Sequence, residues 1–156
     1  MLNETLYTST GVEAGETMRE EGAFDDVRFP CSLTRADEIA QYHAGFRSQS
    51  AHWPVHPLSI LTTYLAKLPA NSLIADFGCG DATLARELVP QGLKVLSYDL
   101  VSKDAWVVEC GCASVPLPGG GGQECEIVDA VVCCLSLMGT DWVDIVREAR
   151  RVLKDG

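Results

Sequence analysis

From residue 72 onward the chain alternates short, uninterrupted apolar runs with stretches of helical spacing, and few folds satisfy that pattern. SLIADF reads as a strand, DATLARELV as a helix and LKVLSYD as a second strand. WVVEC follows as a third strand, IVDAVVCCLSL as a fourth, and DWVDIVREARRVL as a second long helix. Strands that are apolar on both faces and separated by helices belong to a parallel sheet covered on both sides, because each crossover helix packs back onto the sheet. The expected fold is therefore α/β, with a Rossmann-like parallel sheet. Four strands are readable where open doubly wound sheets commonly have five or more, so residues 70–156 read as the first part of such a domain, cut short after the fourth strand. On that reading the apolar run 127–134 is left as an exposed sheet edge. PLPGGGGQECE, between the third and fourth strands, reads as a flexible loop, since four successive glycines hold no regular element cheaply.

Upstream of the alternating region the signals are weaker. Residues 1–33 carry turn formers such as Thr8, Ser9, Gly11, Gly15 and Gly22 with little periodicity, and read as a loosely ordered lead-in. Residues 34–69 read as a helical segment. Thr34 and Asp37 form a capping box, and Ile39, Tyr42, His43 and Phe46 recur at helical spacing. Trp53-Pro54 and His56-Pro57 break the chain before a second amphipathic helix, whose Ile60, Leu61, Tyr64, Leu65 and Leu68 share a face, with Pro69 as its stop.

A chain of 156 residues with 47% apolar and 22% charged residues fits one globular domain. No window approaches the roughly 20 apolar residues of a membrane span, and MLNETLYTSTG lacks a secretory start, so the cytosol or nucleus is the expected compartment. Seven cysteines, an odd number, lie partly inside the apparent strands, which argues against disulfides. The C-x-C of Cys110 and Cys112 and the adjacent Cys133 and Cys134 are not the spaced knuckles of structural zinc sites, so buried apolar thiols are the expectation and no metal is expected. The formal net charge of −10 opposes a strong grip on nucleic acid by this chain alone.

Chemistry concentrates in ADFGCGDATLA. Gly78 and Gly80 stand at the junction of the first strand and its helix, where a missing Cβ permits a tight turn and close approach of a ligand to the backbone. Thr83 stands where a dinucleotide fingerprint has its third glycine, which disfavours a nicotinamide site. An acid two residues before the pair, here Asp76, is the pattern of S-adenosylmethionine sites. Asp99 ends the second strand about 20 residues beyond the turn, where doubly wound folds place the carboxylate that accepts from ribose hydroxyls. A carboxylate can grip both hydroxyls of a vicinal diol. Glycine turn and acid together point to a nucleoside cofactor.

ADFGCGDATLA, SYDLVS, VPLP, VDAVVCCLSLMGTDW and REARRVLKDG, with LNETLYTSTG and YHAGFRSQSAHWP upstream, resemble the ribosomal RNA-processing protein 8 methyltransferases. The resemblance covers most of the chain and is interrupted at residues 12–30 and at the polyglycine loop. It implies a class I S-adenosylmethionine-dependent methyltransferase of the nucleus and nucleolus that makes N1-methyladenosine in large-subunit rRNA during ribosome biogenesis. It also implies that His43, Gly78, Asp99, Gly111, Cys112 and Cys134 line the cofactor pocket, beside Asp76 and Gly80. From the residues alone, His43 is equally a core histidine beside Ile39 and Phe46, and Cys134 ordinary strand packing. Where the family has an acid followed by methionine after the third strand, this chain has Gly111-Cys112, which implies weaker cofactor binding.

The implied reaction is a direct displacement on the sulfonium methyl, governed by alignment. It needs no base, so no catalytic proton-transfer residue is assigned. Cys134 through Thr140, at the carboxyl edge of the sheet, is the expected wall facing donor and target base, and unpaired RNA the expected acceptor. The rival expectation is a non-catalytic remnant or interaction module that keeps part of the pocket.

Overall fold

The computed structural model describes residues 44, 45, 48, 50, 52–101, 104–119 and 125–155. The lead-in, the helix expected around His43 and residues 120–122 of the polyglycine stretch lie outside the described residues.

Four strands form one parallel sheet. In chain order the elements are α1 (Pro57–Leu65), β1 (Leu73–Phe77), α2 (Thr83–Leu88) with a 3-10 turn Val89–Gln91, β2 (Lys94–Asp99), β3 (Val107–Glu109), β4 (Ala130–Val132) and α3 (Trp142–Val152). The strand order is β3-β2-β1-β4, so the chain steps outward from β1 through β2 to β3 and then returns to the other side of β1. That reversal is the switch point where open α/β sheets leave a crevice at the carboxyl ends of their strands. It puts the Gly78 turn and the segment after β4 side by side.

Alternation along the strands splits the core in two. Ala75, Phe77 and Tyr98 face one way and pack with Cys112, Val115, Val128, Ile145 and Val152 under α3. Ile74 and Val132 face the other way and pack with Leu84, Leu88 and Leu93, joined by Leu58, Leu61, Leu65 and Leu68. The expected α/β fold with a parallel sheet is therefore borne out.

Two elements differ from expectation. The His56-Pro57 pair starts α1 instead of breaking the chain before it: Pro57 occupies the first turn, and His56 Nδ1 accepts from the Leu58 amide at 3.3 Å. The apolar face of α1 is Leu58, Leu61 and Leu65, whereas Ile60 and Tyr64 are exposed, Tyr64 with Lys67 over its ring. The fourth strand is three residues, well short of 127–134. Two residues before it, Val128 makes an isolated parallel bridge to Leu153, so the approach to β4 is bordered by the chain just past α3. The ladder with β1 stops at Val132, and three residues on Leu135 lies in the left-handed region at φ +62°.

One charged pair holds the loop after β3. Glu148 lies on the inner side of α3, where its carboxylate accepts from the Val115 amide at 2.8 Å and from Arg151 Nε and Nη2 at 2.6 and 2.7 Å. Arg151 Nη1 in turn donates to the Pro118 carbonyl at 2.6 Å. Side-chain exposures of 9% for Glu148 and 11% for Arg151 make this a buried pair that pins residues 115–118 against the helix.

Candidate functional site

β1 ends in a bend that only glycine accommodates well. Gly78 and Gly80 have φ of +74° and +56°, and the Gly78 and Cys79 amides both donate to the Tyr98 carbonyl, at 2.8 and 3.0 Å. Left-handed φ at two close positions, with the chain tied down between them, is a conformation that a Cβ would strain. A Cβ at Gly78 would also lie 2.4 Å from Ser136 Cβ. Gly78→Ala is therefore expected to cost about 2 kcal/mol, roughly half from the left-handed backbone and half from overpacking, read as a fall in the urea midpoint. Ala82, also left-handed at φ +53°, closes the bend and leads into α2 without a side-chain cap.

Asp99 points into this bend. Its Oδ2 accepts from the Gly80 amide at 2.8 Å and its Oδ1 from the Leu100 amide at 2.8 Å, and the residue is 7% exposed. The strand register aligns Asp76 with Ser97 and with Val132, which places Asp76 on the same face as Asp99, one strand over. Asp76 is 2% exposed. Burial, and secondarily the charge of Asp99, pushes its carboxyl from the ordinary 3.8 up to about 7. A buried acid with a raised pKa at the switch point of an α/β sheet is a candidate for a functional group.

Thiols complete the surroundings. Cys112 packs beneath the bend, its Sγ 3.9 Å from the Tyr98 carbonyl and within reach of the Gly78 backbone. Cys134 follows β4, and burial, then the nearby Asp76 charge, raises its pKa. Gly111 is exposed beside them, and a Cβ there would meet only Leu100 Cδ2 at 3.9 Å, so its glycine is not sterically required. The structure thus brings together Asp76, Gly78, Gly80, Asp99, Cys112 and Cys134, with Gly111 at the rim. His43 lies outside the described residues. No three His, Cys, Asp or Glu side chains among the described residues are placed to hold a metal ion. No helix among them is long and apolar enough to cross a membrane.

Sequence reasoning did not single out Ser136, whose side chain stands against Gly78. Its signal was its place in the segment after the fourth strand, next to the switch point.

Comparison with known proteins agrees with this geometry. The family model described as "Hypothetical methyltransferase" matches residues 1–156. A rat protein named "Ribosomal RNA-processing protein 8" is 44% identical over 155 residues, and an Arabidopsis thaliana protein of the same name 36% over 154. A Schizosaccharomyces pombe protein named "25S rRNA (adenine(645)-N(1))-methyltransferase" is 37% identical over 164 residues. Each alignment takes in 99% of this chain but only 29%, 46% and 45% of those relatives, so the chain spans less than half of their length. The resemblance drawn from ADFGCGDATLA and its companion motifs is thereby borne out. Matched by the model along its whole length, the chain belongs to this methyltransferase family.

Proposed function

We propose that the Gly78–Gly80 bend and Asp99 seat S-adenosylmethionine, and that the chain contributes the donor half of an enzyme methylating N1 of adenine in large-subunit rRNA, in the nucleolus. The observation that carries the donor site is the 2.8 Å contact between Asp99 and the Gly80 amide, which fixes a carboxylate at the glycine bend. The residues fit the group. A carboxylate offers acceptor oxygens, the chemistry that a ribose diol requires. The bend lets a nucleoside approach the backbone, and Asp76 provides a negative charge for a cationic ligand. Bound there, the donor supplies an electrophilic methyl group. The chain's own task is orientation: the bend and Asp99 fix the sugar, while the segment from Cys134 to Thr140 walls the carboxyl edge where an acceptor base would stand. The relatives' names supply the rRNA substrate. The charge of −10 implies that phosphate contacts come from elsewhere.

Calorimetric titration with S-adenosylmethionine tests the donor site. Micromolar binding that weakens about tenfold in Asp99→Asn, roughly the worth of one hydrogen bond to a charged group, is the expected result. No heat at millimolar donor sinks it and leaves the non-catalytic reading, which Gly111 in place of the family's acid favours. Because a Cβ at 111 meets so little, Gly111→Asp is expected to fold normally. It should tighten donor binding by roughly three- to tenfold, the range for one added hydrogen bond.

Binding is also expected to depend on pH. A cation seated above Asp76 draws its carboxyl below about 7, so binding releases a proton in acid solution. Affinity should then rise as pH approaches 7 and level off above it. Titrations in buffers of different ionisation enthalpy measure the proton directly, and a pH-independent affinity would refute the coupling.

A further inference from the structure

Ser136 packs directly against the glycine bend. The space a Cβ at Gly78 would take is filled by the serine side chain, with Ser136 Cβ 2.4 Å and Oγ 3.2 Å from that position. Two observations mark the arrangement as costly. Ser136 Oγ is buried without a hydrogen-bond partner among the described residues. The Cys133 thiol is close enough to feel the hydroxyl, but not in a geometry that satisfies it. A buried hydroxyl without a partner forfeits its bond to water with nothing in return. The preceding Leu135 holds φ at +62°, a region that leucine rarely adopts. A strained leucine beside an orphaned hydroxyl, at the carboxyl edge of the sheet, describes a segment poised between two arrangements, because strain of this kind collects at ligand sites.

We propose, on the basis of the donor site assigned above, that Ser136 is a positioning residue that covers the Gly78 bend in the unbound chain and is displaced when the methyl donor enters, moving the segment through Thr140 with it. The segment that gives way is the one walling the acceptor side, so donor entry precedes and shapes the seat of the base. Covering and binding are then alternatives, and apparent donor affinity scales with the uncovered fraction.

S-adenosylhomocysteine, titrated calorimetrically into the unmodified chain and two variants, tests this. Ser136→Gly removes the covering side chain and is expected to bind roughly three- to tenfold more tightly. Leu135→Gly relaxes the left-handed backbone of the covered arrangement and is expected to bind about two- to fivefold more weakly. A residue with a purely structural role would not yield tighter binding on truncation. Equal or weaker binding by Ser136→Gly overturns the proposal while leaving the donor site standing. No binding by either the unmodified chain or Ser136→Gly overturns the donor site, and the covering role falls with it. A second measurement needs no ligand. If Ser136 covers Gly78, Ser136→Gly restores up to about half of the thermal stability lost in Gly78→Ala, the share due to overpacking, and simple additivity of the two substitutions overturns the contact.

Discussion

Glu148→Ala is expected to lower folding stability by about 3 kcal/mol, because it strands the buried Arg151 guanidinium without its counter-charge and leaves the Val115 amide without an acceptor. The loss combines two effects with one origin. Arg151 keeps its bond to the Pro118 carbonyl, while the Val115 amide loses its tie to α3. Urea denaturation measures the loss, and a change under about 0.5 kcal/mol, the range of ordinary surface substitutions, would contradict the buried pair. The pair also has a pH signature. Arg151, and then the Val115 amide, hold the Glu148 carboxyl below its ordinary 4.5. A carboxylate depressed in the folded state contributes stability that is fully present above 4.5 and fades as pH falls through the depressed value. The stability difference between the wild-type chain and Glu148→Gln should therefore shrink below about pH 4.5.

Asp76→Asn is expected to move stability and binding in opposite directions. The folded chain holds the Asp76 proton up to about 7, against 3.8 for a free side chain, so between those values it binds protons that the unfolded chain has released. That contribution to stability is fully present below 3.8 and is lost as pH rises through 7. Above pH 7 the chain carries an ionised buried acid at a cost of up to roughly 4 kcal/mol, at 1.36 kcal/mol for each tenfold step. Asparagine removes the charge but leaves a buried amide to be satisfied, so a net gain of about 2 kcal/mol near pH 8 is expected, vanishing in acid. Donor affinity should fall about a hundredfold, because the charge lost is the one beneath a cationic ligand. Thermal melts across pH give the first quantity and calorimetry the second. A variant that is both less stable at pH 8 and unimpaired in binding would remove Asp76 from the site. An expensive group kept at a functional position is the usual form of the exchange between stability and activity.

Much of this was legible in the residues, and the exceptions have physical reasons. β1, α2 and β2 announce themselves because local signals agree: apolar runs of strand length, a glycine bend, and an acid at the strand end. The contact between Asp99 and the bend follows from spacing, since a parallel strand entered through a short helix returns its end to the same edge. The short β4 was not legible. IVDAVVCCLSL is largely apolar, yet its pairing with β1 ends at Val132, a stop that periodicity does not carry. The apolar face of α1 was misread because Ile60 and Tyr64 sit at helical spacing yet face outward. The Glu148–Arg151 pair was missed for the opposite reason. Glu148 stands at an inner position with Ile145, Ala149 and Val152, where an acid looks like an interruption until its partner one turn later is seen.

The sulfur-rich side of the sheet gives the protein an internal clock. Cys110, Cys112 and Cys133 pack beside Tyr98 under α3, and burial raises all three pKa values, that of Cys112 to about 12. Almost none of their sulfur is thiolate at neutral pH, so alkylating reagents have little to attack while the helix stays seated. Each lifting of α3 returns these thiols to water and to ordinary acidity. Pulsed alkylation read by mass spectrometry would therefore count openings of this one face separately from the leucine-lined face opposite, against which Cys134 packs.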